Sequence, residues 1–462
     1  MLPEPTLSFT LPSLHDDTVL DCRVYHCQAL SPSASNTSPW RRHAAIMAHP
    51  YAPLGGCYDD PIVDIVAGTL LRHGFLVGTF NFRGGLEEIK VLLTESWNRG
   101  ASGSAGRTSW TAKPERSDYM SFIGFMVYYM HFLDPFGPRT LRSPSTARAP
   151  SPPNARPGSS RSDQPVLLLG GYSYGAMITT QIPPMAHILA QFKTPAVGSA
   201  AADIRLRAQH LAEQQNVILA SARAAQSTSP RKKYLGMRVG GDEDTQRKSH
   251  DSRRSFSMDA EDKIRRGVNE LLAKTKRHHH HLHHRGGDVV PEEKEDSAPD
   301  DAGPEQQNTP LVLEEVGGLT QVRPAYLLVS PLQGVITHLA TMSFLPTSAG
   351  RGLFAKASTR SREQGAPTYT SDHRQLSETK LVENQTLALF GDKDGFVPVA
   401  KLRNWVERLE GVERSRFHGE EVATAGHFWT EGKVASTLRD KVAEFAAFLI
   451  QRESVDRSIG GP

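Results

Sequence analysis

Cysteine is scarce in this chain. Three of its 462 residues are cysteines, Cys22, Cys27 and Cys57, and they form no C-x-x-C pair. An odd and sparse set of this kind excludes a disulfide framework and favours a compartment in which thiols stay reduced. We therefore expect a cytoplasmic protein.

Long hydrophobic runs are also missing. The longest apolar run extends from Tyr119 to Leu133, which is too short to span a bilayer comfortably and indicates a buried helix. The chain begins Met-Leu-Pro-Glu-Pro-Thr, without the basic start and apolar core of a secretory signal. Together these absences predict a soluble protein with no membrane span.

An excess of charge of one sign is lacking as well. The 53 Lys and Arg nearly balance the 50 Asp and Glu, for a formal net charge of +3. This balance argues against nucleic acid or an anionic membrane as a partner. Hydrophobic residues make up 38% of the chain, which also contains 38 Gly and 31 Pro. That composition is low in apolar residues for one compact globule and predicts substantial unstructured sequence.

The unstructured sequence is expected where apolar residues lose their regular spacing. Residues 135–164 are rich in Pro, Ser, Arg and Ala and predict a linker. Residues 195–322 predict a charged insertion or lid, partly helical and partly disordered. The remaining apolar segments are then expected to form two halves of one core, residues 1–194 and 323–452.

A run of histidines, His278 to His284, lies inside this insertion. No acidic or cysteine partners keep the spacing of metal ligands around it, so a solvated low-complexity tract is favoured over a metal site. We expect neither a metal nor a cofactor in this protein.

The most informative stretch is a strand, a turn and a helix around one serine. The apolar run Val166–Leu169 indicates a strand buried on both faces, and a helix-compatible segment follows the motif G-x-S-x-G at Gly171–Gly175. This order is typical of a nucleophile elbow, in which Ser173 lies on a tight, strained turn. Glycines flank it because side chains there would collide with the neighbouring strand and helix. The N–H of Tyr174, at the helix N-terminus, can help to hold an oxyanion.

Alternating strands and helices surround this motif. Segments 44–49 and 75–82 indicate strands, and Asp60 followed by Pro61 predicts the start of a helix between them. Such a βαβ unit indicates a parallel sheet with right-handed crossovers. Further elements are predicted as antiparallel edge strands within 7–30, helices at 117–133, 199–225, 259–276, 399–410 and 434–450, and strands at 325–330, 387–390 and 414–418.

Two downstream loops carry the partners that an activated serine needs. Asp394 follows the apolar strand at 387–390, and His427 lies near the end of the chain, after a glycine and before two aromatics. A serine hydroxyl is a poor nucleophile until a base accepts its proton, and a carboxylate fixes the tautomer of that base. Asp392 and His418 compete for these roles, although His418 follows an Arg-Phe pair and indicates the end of a strand.

The sequence resembles the α/β-hydrolase superfamily. More narrowly, it resembles the small serine hydrolases with a His-Pro…Gly-Gly loop, an Asn-Phe-Arg-Gly strand end and an Ala-x-His-Phe ending. The segments that carry the resemblance are His49–Pro50, Leu54–Gly56, Asn81–Gly84, Gly171–Gly175, Gly391–Pro398 and Gly426–Phe428. They cover the sheet core, roughly 43–194 and 323–450. The chain departs from the pattern at 85–100, 135–164 and 196–322, and we expect 85–100 to be an optional insertion or a splicing artefact.

The resemblance implies the α/β-hydrolase fold, with a mostly parallel sheet and helices on both faces. The composition of residues 195–322 adds a long, partly disordered insertion to this fold. It implies that Ser173 is the nucleophile, His427 the general base and then the acid, and Asp394 the acid that orients the histidine. The resemblance favours Asp394 over Asp392 because the family's loop places its acid three residues after the glycine.

The resemblance also implies which groups hold the oxyanion. These are expected to be the backbone N–H groups of Tyr174 and of one residue in the 49–56 loop, Tyr51. We expect the ring of His49 to organise this loop, and Arg83 to be a structural hydrogen-bond donor rather than a substrate clamp.

The expected function is hydrolysis of an ester, thioester or amide through an acyl-serine intermediate, with a small-molecule acyl substrate. The protein is expected to be an enzyme that resembles a carboxylic ester hydrolase or a serine peptidase. Two alternatives remain open. One is a non-catalytic scaffold that binds a protein partner through residues 196–322. The other is an acyltransferase that uses the same three residues with an acceptor other than water.

Overall fold

The computed structural model describes much of the predicted core. The described residues are 1–33, 40–84, 104, 108–109, 112–136, 164–228, 266, 311–332 and 378–459, with side chains up to 226 and 451 in the helices that end at 228 and 459. The expected insertion at 85–100 and the histidine tract at 278–284 lie outside these residues. So do most of the linker at 135–164 and all of the helix predicted at 259–276 apart from residue 266.

An eight-stranded sheet forms the centre of the molecule. Its strands are β1 (Leu7–Pro12), β2 (Val19–Tyr25), β3 (Ala44–Ala48), β4 (Leu76–Phe80), β5 (Val166–Tyr172), β6 (Arg323–Val329), β7 (Thr386–Gly391) and β8 (Phe417–Val422). Their order across the sheet is β1-β2-β4-β3-β5-β6-β7-β8. β2 pairs antiparallel with β1 and β4, and the other five pairs are parallel. The mostly parallel sheet is therefore confirmed.

Helices cover both faces of this sheet. They are α1 (Pro61–Arg72), α2 (Lys113–Phe132), α3 (Tyr174–Gln181), α4 (Met185–Ala190), α5 (Ala200–Thr228), α6 (378–383), α7 (Val399–Glu410) and α8 (Val434–Ile459). α1 and α8 share one apolar core with one face of the sheet, and α2, α3, α5 and α7 share the other. Every residue of β3, β4 and β5 is buried, because both faces of these central strands are covered.

Local chemistry accounts for the start of the first helix. The carboxylate of Asp60 accepts hydrogen bonds from the backbone N–H groups of Ile62 and Val63, at 2.8 and 3.4 Å. Pro61 follows at the first helical position, where its missing N–H costs nothing. The helix predicted to begin here is confirmed.

The first part of the 195–322 segment belongs to the core. Ile204 and Leu211 of α5 are buried in the same cluster as α2. The guanidinium of Arg205 donates to the carbonyl oxygens of Phe192 and Lys193, at 3.3 and 3.0 Å. These contacts tie α5 to the chain that follows the serine helix.

The edge strand β8 begins later than the sequence predicts. A strand was expected at 414–418, but Arg414 has a φ of 59°, which is incompatible with an extended strand. The strand starts at Phe417 for this reason and continues to Val422. No helix in the described part of the chain is both long enough and apolar enough to cross a membrane.

Candidate active site

Ser173 lies on the turn between β5 and α3. Its backbone has φ 56° and ψ −113°, a strained conformation for a residue with a side chain. Its N–H donates to the carbonyl oxygen of Val329 at the end of β6, with a length of 2.8 Å. The turn is therefore anchored to the neighbouring strand.

The two glycines of the motif allow this turn to pack. A Cβ atom on Gly171 would lie 2.2 Å from the carbonyl carbon of Gly175. A Cβ atom on Gly175 would lie 2.5 Å from the carbonyl oxygen of Ala48 at the end of β3. Both distances are far shorter than any real contact, so only glycine fits at either position.

Ser173, His427 and Asp394 form one continuous hydrogen-bonded chain. The hydroxyl oxygen of Ser173 lies 2.8 Å from Nε2 of His427, and Nδ1 of His427 lies 2.8 Å from Oδ2 of Asp394. These residues follow β5, β8 and β7, all at the carboxyl edge of the parallel strands. All three residues are buried. The structure thus brings together the three residues that the sequence analysis selected.

The loop after β7 holds the carboxylate of Asp394 in place. Its second oxygen, Oδ1, accepts hydrogen bonds from the backbone N–H groups of Phe396 and Val397, at 2.8 and 3.1 Å. Burial by itself would raise the pKa of Asp394, but the hydrogen bond and charge of His427, together with these two N–H groups, lower it below the usual value. The carboxylate therefore stays ionised, and it can orient the imidazole.

The backbone of His427 is held by residues that sequence reasoning missed. Its carbonyl oxygen accepts hydrogen bonds from the hydroxyl groups of Tyr172 and Ser330, at 3.1 and 3.4 Å. The indole Nε1 of Trp429 donates to the same Ser330 hydroxyl at 2.9 Å. The sequence offered two signals for these contacts. One was the hydroxyl of Tyr172 inside the G-x-S-x-G motif, and the other was Trp429, two residues after the histidine. Ser330 had none, because it follows a strand with no motif of its own.

The two rival residues, His418 and Asp392, do not take part in the hydrogen bonds that join Ser173, His427 and Asp394. Nδ1 of His418 bonds to the carboxylate of Glu410 at 3.0 Å, and its side chain is 68% exposed on β8. Within the described residues, Oδ1 of Asp392 is buried without a hydrogen-bond partner, and neither carboxylate oxygen of Asp392 contacts His427. The geometry therefore favours Asp394 and His427.

His49 organises the loop after β3. Its Nε2 accepts a hydrogen bond from the N–H of Phe82 at 2.8 Å, so the proton of the neutral ring is on Nδ1, which donates to the carbonyl oxygen of Pro50 at 2.5 Å. Burial lowers the pKa of His49 to about 4. The ring is therefore neutral near pH 7, and it ties the loop to the end of β4.

The two expected oxyanion donors lie at this edge of the sheet as well. Tyr174 begins α3, and Tyr51 begins a single 3-10 turn at Ala52–Leu54. Within the described residues, neither backbone N–H donates to another group. The rings of Tyr51 and Tyr174 pack with their centroids 5.1 Å apart, so the loop and the elbow are in contact.

Arg83 follows β4 and lies at the same edge of the sheet. Its guanidinium makes bidentate hydrogen bonds to Asp118, at 2.9 and 2.7 Å, and to Asp16, at 2.7 and 3.0 Å. It also donates to the hydroxyl of Ser13 at 2.9 Å. The side chain of Arg83 is 4% exposed, so its role is that of a structural hydrogen-bond donor, as the sequence analysis expected.

Other features of the described surface do not extend this site. Among the described residues, no group of three or more His, Cys, Asp and Glu side chains is arranged to hold a metal ion. A cleft of about 750 Å³ lies between α6 and the end of α7, lined by residues such as Glu378, Arg408 and Arg416. Ser173, Asp394 and His427 do not line this cleft.

The strand order and the positions of the three residues define the class of fold. A strained serine after β5, an acid after β7 and a histidine after β8, in this chain order, are the arrangement of α/β-hydrolases. The chain has the α/β-hydrolase fold, and its resemblance to that superfamily is confirmed at the level of the fold.

Solved structures of low sequence identity are similar to this chain. A serine hydrolase homologue from Coxiella burnetii is 11% identical, with 96% of this chain and 99% of that one covered and a TM-score of 0.37. A serine hydrolase without a lid from Xanthomonas campestris is 13% identical, with coverages of 97% and 96% and a TM-score of 0.36. Est1E from Butyrivibrio proteoclasticus, solved with ferulic acid, is 10% identical, with coverages of 96% and 99% and a TM-score of 0.39.

At these identities and TM-scores the likeness adds no argument about the site, so the fold assignment depends on the strand order and the elbow. Comparisons with protein-family models and with curated protein sequences found no match.

Proposed function

We propose that this protein is a serine hydrolase that cleaves an ester, thioester or amide bond through an acyl-serine intermediate. The observation that carries the proposal is the continuous hydrogen-bonded chain from Asp394 through His427 to Ser173. A strained serine that is hydrogen-bonded to an oriented imidazole is a nucleophile with its base already in place.

In the first half of the reaction, Nε2 of His427 accepts the proton of the Ser173 hydroxyl while Oγ attacks the acyl carbon. The charge that develops on the acyl oxygen is stabilised by the N–H groups of Tyr174 and Tyr51. Loss of one such donor typically costs about 10²–10³ in rate. The imidazolium then gives its proton to the leaving group as the bond between carbon and leaving group breaks.

In the second half, water replaces the leaving group. The water oxygen attacks the acyl-serine while Nε2 of His427 takes a proton from the water. His427 then gives this proton to Oγ of Ser173 when the acid product leaves. Asp394 stays ionised throughout and stabilises the imidazolium in both halves. Apart from the substrate and water, the groups in these steps are side chains and backbone groups of this protein.

Labelling with a fluorophosphonate tests the proposal directly. The reagent reacts covalently with an activated serine, so the wild-type protein should be labelled and Ser173→Ala should not. Ser8→Ala is a suitable control, because Ser8 is exposed on the edge strand β1 and far along the sheet from β5. Mass spectrometry of the labelled peptide identifies the site.

The proposal is wrong if the folded wild-type protein remains unlabelled under conditions that label a known serine hydrolase. Labelling that persists at the same rate in Ser173→Ala contradicts the assignment of the nucleophile. A labelled wild type then justifies a screen of esters, thioesters and amides of increasing acyl length.

A further inference from the structure

Two exposed phenylalanines lie beside the imidazole of His427. Phe396 is 40% exposed and Phe428 is 57% exposed, although large apolar side chains are usually buried. Their ring centroids lie 4.4 and 5.4 Å from that of His427. The two phenyl rings are 5.6 Å apart at 87° to each other, so they form an open aromatic corner that includes the imidazole.

Hydrogen bonds to Asp394 and His427 hold the backbone at both phenylalanines. The N–H of Phe396 donates to the carboxylate of Asp394. Phe428 directly follows His427, whose carbonyl oxygen accepts from Tyr172 and Ser330. The backbone that carries the two rings is therefore anchored beside the reacting groups, and the rings remain in contact with water.

The chemistry of the proposed reaction decides which part of a substrate reaches this corner. The acyl group stays attached to Oγ of Ser173, whereas the leaving atom takes a proton from Nε2 of His427 and must lie within hydrogen-bonding distance of it. The group attached to the leaving atom therefore extends from the imidazole. The aromatic surfaces nearest to the imidazole in the described structure are those of Phe396 and Phe428.

We propose that Phe396 and Phe428 bind the leaving group of the substrate and give the enzyme a preference for apolar, above all aromatic, leaving groups. The inference depends on the proposed serine hydrolase activity and deepens it by naming a substrate class. The reaction is unchanged: the bond from Oγ to the acyl carbon forms, the bond from that carbon to the leaving oxygen breaks, and the serine proton passes through His427 to the leaving oxygen. Contact with the two rings contributes by covering apolar surface of both partners.

Two esters of the same acid test this preference. Methyl and benzyl butyrate share an acyl group. In both the leaving oxygen is bonded to a saturated carbon, and only the benzyl ester carries an aromatic ring there. We expect Phe396→Ala and Phe428→Ala each to lower kcat/KM for the benzyl ester about tenfold more than for the methyl ester. Phe396→Leu and Phe428→Leu should recover part of the loss, because leucine restores apolar volume. Phe448→Ala is the matched control, since Phe448 is 43% exposed on α8.

A second measurement does not require turnover. Inactivation by a fluorophosphonate expels fluoride, whereas a 4-nitrophenyl phosphonate with the same alkyl group expels an aromatic alcohol. The Phe→Ala variants should slow inactivation by the aryl phosphonate about tenfold more than inactivation by the fluorophosphonate.

The outcomes separate the inference from the proposed function. Equal slowing of both phosphonates and both esters would mean that the rings only position His427, and it would overturn the inference. The inference would also be overturned if the wild type reacts with the fluorophosphonate but both variants react with the aryl phosphonate and the benzyl ester as fast as the wild type does. If neither phosphonate reacts with the folded wild type, the proposed function fails and the inference fails with it.

Discussion

At the scale of single residues, two aspartates of one loop differ in what their oxygens contact. Asp394 accepts hydrogen bonds from His427 and from two backbone N–H groups. Asp392, two residues earlier, has a buried oxygen with no hydrogen-bond partner in the described structure. A carboxylate can orient a histidine only through direct contact. Of the two aspartates, Asp394 is therefore the one whose geometry suits that role.

This difference predicts unequal effects of the same substitution. Asp394→Asn keeps the shape of the side chain but cannot stabilise the imidazolium or fix its tautomer. We expect kcat to fall by a factor on the order of 10⁴, measured on any ester that the wild type turns over. Asp392→Asn is the matched control and should stay within about threefold of the wild type. A larger loss in Asp392→Asn than in Asp394→Asn would reverse the assignment.

At the scale of elements, the acid loop contains two glycines with opposite surroundings. A Cβ atom on Gly391, at the end of β7, would lie 1.9 Å from the carbonyl oxygen of Ala425 on the histidine loop. A Cβ atom on Gly395 would meet nothing within 4 Å. At Gly391 the acid loop therefore packs against the histidine loop with no room for a side chain.

Alanine substitutions should reveal this contact. In Gly391→Ala the two loops must separate, and we expect the free energy of unfolding to fall by about 1–3 kcal/mol, the usual cost of overpacking. Fluorophosphonate labelling of Ser173 should slow as well, because His427 lies on the displaced loop. Gly395→Ala should change neither the stability nor the labelling rate measurably. Equal stabilities of the two variants in denaturant unfolding would refute the packing argument.

Contacts between distant elements could not be predicted from the sequence. Lys380 of α6 is fully buried, and its ammonium donates to the carbonyl oxygens of Thr179 and Ile182 at the end of α3. Burial lowers its pKa well below the usual value. A lysine in a polar stretch carries no local sign of such a position, because the position depends on how two helices about 200 residues apart pack together.

At the scale of the whole molecule, two histidines that are neutral in the folded protein couple folding to pH. Burial lowers the pKa values of His49 and His26 to about 4, from an ordinary value of 6.5. Between pH 6.5 and about pH 4, the unfolded chain therefore binds protons that the folded chain does not. The free energy of unfolding should decrease as the pH falls through this window.

The decrease can be measured by denaturant unfolding at pH 7, 6 and 5. We expect His49 alone to account for up to about 3 kcal/mol across its full window. His49→Gln should be less stable than the wild type at pH 7, since an amide does not place its acceptor and donor where the ring nitrogens meet Phe82 N–H and the Pro50 carbonyl oxygen. Its stability should depend less steeply on pH. An unchanged slope in this variant would show that His49 is not the titrating group. His26→Gln should flatten the slope further.

The sequence by itself determined the class of fold and the identity of the candidate triad. Strand-length apolar runs, a capped helix start and the glycines of the elbow are local patterns, and each reflects a local requirement such as burial of both strand faces or a turn without side chains. The starts and ends of most central elements followed from these patterns, and β8 was misplaced because the turn at Arg414 had no recognisable signal.

Only the tertiary structure decided how these local elements meet. Ser173 and His427 are separated by 254 positions in the chain, and their 2.8 Å contact depends on the order of strands in the sheet. The same is true of the hydroxyl groups that hold His427 and of the exposed Phe396 and Phe428 beside it. Side-chain periodicity encodes which face of an element is buried, whereas contacts between loops depend on the packing of all the elements that carry them.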